Sequence, residues 1–75
     1  MPEYIVFLTW DSEAAVWIAS SNDIPGLALE SGSLDVLIER VRNAAPELLE
    51  LNGVRTKTAL MSFLSERREQ VQLYG

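Results

Sequence analysis

Apolar residues along the chain fall into two regimes, a front half with strand-like alternation and a middle with helical period. Residues 3–10 (EYIVFLTW) are rich in β-branched and aromatic side chains and predict a first strand. Residues 15–20 predict a second strand, joined to the first by the hairpin connection DSEA, and residues 27–30 a short third. Together they predict an antiparallel meander. Between the second and third strands lie Ser20, Ser21, Asn22 and Asp23, whose side chains can bond nearby backbone. Pro25 then fixes φ and Gly26 admits φ > 0, so the chain reverses there.

The period changes at Ser33, which can cap a helix carrying Asp35 in its first turn. Leu34, Leu37, Ile38, Val41, Ala45 and Leu48 recur at helical spacing and form the stripe expected to face the sheet. Pro46 removes a backbone donor and crowds the preceding turn, at a cost of about 3 kcal/mol inside a helix, so the helix is expected to kink or restart there. Asn52-Gly53 supplies the left-handed position that ends it.

Residues 59–64 (ALMSFL) fit a buried strand, while Leu60, Phe63, Leu64, Arg67 and Val71 also fit a helix. A fourth strand over about residues 57–65 is favoured because it covers a sheet edge. Residues 69–73 alternate polar and apolar as a further short strand does. The predicted fold class is therefore α+β, in the order β-β-β-α-β: a three-stranded antiparallel meander, one helix kinked near Pro46, and a fourth strand. Residues 1–75 read as one domain, with no repeat or linker.

Strand 1 is apolar at Tyr4, Val6, Leu8 and Trp10, and again at Ile5 and Phe7, sets that point to opposite faces. Strand 2 repeats this, with Val16 and Ile18 on one side and Trp17 and Ala19 on the other. One helix covers only one face of a small sheet. The second face therefore needs either the C-terminal segment folded back over it or a partner, and Trp is among the residue types enriched at interface hot spots. The alternation does not say which face meets the helix.

Size sharpens this picture, because a chain of 75 residues buries only about 60% of its unfolded surface. With no cysteine and no histidine, neither disulfides nor a zinc-type site can staple it, which leaves oligomerisation or a partner. No secretory leader or membrane-length apolar run is evident, so a soluble cytoplasmic protein without a membrane role is expected. Eleven acidic against six basic residues give a net charge of −5, which disfavours direct nucleic-acid binding and favours a basic protein partner.

Catalytic chemistry finds little support. There is no His, no Cys, no phosphate-binding Gly-rich loop and no Ser beside a base. An enzyme would have to rest on carboxylates at turns and strand ends, Asp11, Glu13, Asp23 and Glu30, two of which would meet as a metal-binding pair. Such residues ordinarily cap local backbone or face water. No catalytic residue, cofactor or metal is assigned, and Arg67 and Arg68, flanked by Glu66 and Glu69, read as a self-paired charge run.

The order of several short motifs resembles the HicB-like antitoxin family. They are Trp10-Asp11 at the first turn, Glu13 and Val16-Trp17 entering strand 2, Asp23-Ile24-Pro25-Gly26-Leu27 at the second turn, and Ser33-Leu34 at the helix start. Pro46-Glu47-Leu48-Leu49 with Asn52-Gly53 resembles the signature of a short branch of that family whose function is largely uncharacterised. The resemblance implies a partial ribonuclease-H-like fold lacking the catalytic carboxylates. It further implies an antitoxin that occludes a small, basic, HicA-like ribonuclease toxin. Full antitoxins of the family also carry a DNA-binding module; the 22 residues after Gly53 are too few for one beside a fourth strand, so no separate DNA-binding domain is expected.

The resulting expectation is a non-catalytic interaction domain, a homodimer or higher oligomer, that neutralises a basic toxin. Its partner or self-association surface is expected at Trp10, Asp11, Glu13, Trp17 and Asp23, and its turns are set by Pro25, Gly26, Asn52 and Gly53. The alternatives are an orphan homo-oligomeric domain with no toxin and, from a different class, a carboxylate- or metal-dependent hydrolase.

Overall fold

A computed structural model describes residues 2–75. The elements are β1 (Glu3–Asp11), β2 (Val16–Ser20), β3 (Leu29–Ser31), α1 (Leu34–Leu51) and β4 (Leu60–Glu66), confirming an α+β chain in the order β-β-β-α-β. The first three strands form the expected meander, β1 antiparallel to β2 and β2 to β3. The sheet as a whole is mixed, however, with order β3-β2-β1-β4, because β4 lies parallel beside β1. Helix α1 carries the chain from one edge of the sheet to the other, which is why the last strand enters in the direction of the first: parallel neighbours require a crossover.

Helix α1 starts where the capping chemistry places it. Ser33 is extended (φ −110°, ψ 126°), its hydroxyl accepts from the Val36 N–H at 3.3 Å, and its carbonyl accepts from Leu37 N–H at 3.0 Å. The helix then runs without a break for 18 residues through Pro46, so the expected restart does not occur. Tertiary burial outweighs the local penalty: Ala45 and Leu49 flank Pro46 and are both in the core. The C-terminus closes as a Schellman motif, with Val54 N–H donating to the Leu49 carbonyl at 2.9 Å, Gly53 N–H to Glu50 at 3.0 Å, and Gly53 at φ +84°.

The core lies between this helix and one face of the sheet. Val6, Leu8, Trp17 and Ala19 meet Leu37, Val41, Ala45 and Leu49, and Ile24 and Leu27 of the β2–β3 connection complete it. That connection turns where expected, the Leu27 N–H donating to the Ile24 carbonyl at 3.2 Å across Pro25 and Gly26 (φ +88°). A proline second and a left-handed glycine third are the marks of a type II turn. The Asn52 side chain ties the helix end to this turn, donating to the Leu48 carbonyl at 2.8 Å and reaching that of Pro25 at 3.5 Å.

Residues 69–73, expected as a further short strand, carry no regular structure and join no sheet among the described residues. Instead the segment after Glu66 leaves the body, and Val71, Leu73 and Tyr74 are exposed.

Candidate functional site: the open face of the sheet

Strand register assigns each side chain to a face. Opposite the helix, β1 places Glu3, Ile5, Phe7, Thr9 and Asp11; their strand partners on that face are Val16, Ile18 and Ser20 of β2 and Leu60, Ser62, Leu64 and Glu66 of β4. Glu30 of β3 joins them beside Ile18. The middle of the face is apolar. Phe7, Ile18, Leu60 and Leu64 are all more than a third exposed, Leu60 and Leu64 at 51%, and the C-terminal segment does not cover them.

The border of this face is acidic. Its charged strand residues are Glu3, Asp11, Glu30 and Glu66, and no strand contains a lysine or arginine. Glu3 accepts a hydrogen bond from the Ser62 hydroxyl, and Glu66 pairs with Arg68 at 2.9 Å, just beyond the strand. An apolar patch bounded by carboxylates suits a surface that is basic at its rim and apolar at its centre.

The residues expected at the partner surface separate into three places. Trp10 and Trp17 point to the helix side, where their rings meet edge to face with centroids 5.5 Å apart, and Trp17 belongs to the core. Asp11 lies at the end of β1, where Oδ1 accepts from the backbone N–H of Glu13 (3.0 Å) and Ala14 (3.3 Å) and so shapes the first turn. Glu13 is exposed in that turn. Asp23 works at the other end of β1: Oδ2 accepts from the Ile5 N–H at 2.8 Å, while Ser21 donates its hydroxyl to the Ile5 carbonyl. These two side chains continue the sheet's hydrogen bonding past the end of β2. Pro25, Gly26, Asn52 and Gly53 define the turns as expected.

A carboxylate pair for hydrolysis would need two of the turn acids to meet. Asp11 and Asp23 engage opposite ends of β1, six residues of strand or about 20 Å apart, and Glu30 stands on the far side of β2. Only Asp11 and Glu13 are near neighbours, and Asp11 is occupied with backbone. No group of three or more potential metal ligands occurs among the described residues. An open groove of about 460 Å³ lies beneath the helix C-terminus, lined by Pro46, Leu49, Val54, Arg55, Lys57 and Met61 among others. Among the described residues, no helix is long and apolar enough to cross a membrane.

What sequence reasoning missed are Phe7, Ile18, Leu60 and Leu64 as the exposed set, together with the stack of Arg67 on Trp10, 4.0 Å from guanidinium carbon to ring centroid. The alternation of β1 and β2 contained the two sets; the face choice came only with the helix packing.

No curated protein matches the chain. Among solved structures it is similar to the crystal structure of hypothetical protein TTHA1013 from the extremely thermophilic bacterium Thermus thermophilus, at 37% identity and a TM-score of 0.79, over 92% of this chain and 99% of that one. The family model described as "Domain of unknown function (DUF1902)" matches residues 3–75, so the chain belongs to the DUF1902 family.

Proposed function

We propose that this chain is a non-catalytic interaction domain of the HicB-like kind, whose open sheet face takes a small basic protein and, as an antitoxin, occludes a ribonuclease toxin in the cytoplasm. The observation that carries the reading is the composition of that face: apolar at Ile5, Phe7, Ile18, Leu60 and Leu64, with every charged strand residue on it a carboxylate. The β-β-β-α-β order and the turn motifs that resemble the HicB-like family support it further. In this mechanism the apolar centre supplies affinity and the acidic border speeds encounter and rejects acidic competitors. The toxin loses activity because its basic RNA-binding surface is covered.

The test is co-expression with the product of any small basic reading frame adjacent to this chain's own, followed by affinity capture, intact-complex mass and a ribonuclease assay of that product with and without the domain. A stoichiometric complex that suppresses ribonuclease activity, and that is lost in Ile18→Asp, supports the proposal. Equal capture by Ile18→Asp and wild type would remove the open face from it.

A further inference from the structure

We infer that residues 67–75 are an exchange arm: in a two-fold dimer each arm lies antiparallel along the free edge of β4 in a second copy of this chain. The inference stands on the arm and the β4 edge, not on the basic partner proposed for the open face.

The molecule is too extended for its size. A compact chain of 75 residues has a radius of gyration of about 11 Å; this one has 14.8 Å, with extents of 58 × 22 × 18 Å. β4 and the arm together span about 53 Å at strand rise, which accounts for the long axis. The same excess appears in surface. The chain exposes 5747 Å², whereas a compact monomer of 8.4 kDa exposes about 4,600 Å². The difference, about 1,100 Å² per chain, or about 2,200 Å² if both copies bury it, lies in the range of stable homodimers.

The arm's pattern matches a missing strand. Val71 and Leu73 alternate with Gln70 and Gln72, the signature of a half-buried strand, yet Val71 is 72% and Leu73 84% exposed. The receiving edge is equally specific. The sheet ends in β3, three residues long and so a poor template, and in β4, seven residues long, paired on one side with β1 in unbroken register. β4 has no proline, lysine or bulge, the devices that ordinarily protect an edge.

Geometry directs the arm outward. Arg67 stacks on Trp10 and reaches Trp17 (5.9 Å), on the helix side of the sheet, and bonds Glu69 at 2.6 Å. This holds the arm's root away from its own open face, while its own β4 edge lies behind it. A reciprocal exchange satisfies both copies at once and closes, as a two-fold interface must.

The test uses the full chain. Sedimentation equilibrium should give twice the 8.4 kDa chain mass for the wild type and once that mass for Val71→Asp/Leu73→Asp, whose amide spectrum should retain the body's resonances. Because the chain has no cysteine, Gln72→Cys can carry a nitroxide on unlabelled chains mixed with ¹⁵N-labelled wild type. Broadening of amides 60–66 in the labelled chain is expected, and it decides the matter even if the double variant unfolds. A monomeric wild type, a dimer that survives the double substitution, or cross-chain broadening that spares 60–66 and falls on β1, β2 or β3 would each overturn the inference.

Discussion

The guanidinium of Arg67 lies 4.0 Å from the centroid of the Trp10 ring, and Trp10 in turn meets Trp17 edge to face. A residue just past the last strand thus lids the end of the core and fixes where the following segment departs. Arg67 is 44% exposed, so the contact is a partly hydrated cation–π pair.

Arg67→Ala should lower stability by about 0.5–1 kcal/mol, seen in urea unfolding, and shift tryptophan emission to the red as both rings gain water. Arg67→Lys should recover part of the loss. An unchanged emission maximum in the alanine variant would mean that the stack does not persist in solution.

Two of the left-handed glycines, Gly53 and Gly26, offer a graded comparison. At Gly53 (φ +84°) nothing lies within 4 Å of an added Cβ, so Gly53→Ala carries backbone strain alone, about 1–2 kcal/mol. At Gly26 (φ +88°) the Cβ would also sit 3.3 Å from a Leu48 methyl carbon, and Gly26→Ala should cost more. Denaturant midpoints ranked the other way would contradict this account of the second turn.

Helix α1 is secured separately at its ends. Ser33→Ala removes the N-cap, about 1 kcal/mol, and Asn52→Ala removes the bonds to Leu48 and Pro25, again about 1 kcal/mol. The sites are about 28 Å apart along the helix, so the double variant should show additive losses within about 0.5 kcal/mol. Clear non-additivity by equilibrium unfolding would show that the caps communicate.

The two sheet faces should respond oppositely to substitution. Trp17→Ala empties a core position and should destabilise by about 3–5 kcal/mol. Phe7→Asp and Ile18→Asp alter exposed positions and should leave the fold cooperative while abolishing capture of the basic partner. Thermal melts alongside capture separate these effects.

Much of the architecture was legible locally. Ser33 as cap, Asn52-Gly53 as stop and Pro25-Gly26 as turn each act through their own backbone chemistry, so neighbours in sequence suffice to read them. The self-pairing of Arg67 with Glu69 and of Arg68 with Glu66 was legible for the same reason. The parallel placement of β4 was not, because it depends on where an 18-residue helix delivers the chain. The helix continues past Pro46 instead of restarting for a related reason: the proline's penalty is local, while the burial of Ala45 and Leu49 that offsets it is tertiary. Ile24 and Leu27 sit in a turn with no period to expose them as core. Alternation separates two faces without naming the one the helix covers, so it assigns Trp10 and Trp17 to a partner surface as readily as to the core.

The measurement closest to the central claim is the affinity of purified domain for the product of any adjacent small basic reading frame, compared between wild type and Ile18→Asp at low and high salt. The account predicts one-to-one stoichiometric binding that weakens as salt rises and falls at least tenfold, about 1.4 kcal/mol, on Ile18→Asp. Binding by the variant that matches wild type at both salt concentrations would contradict it.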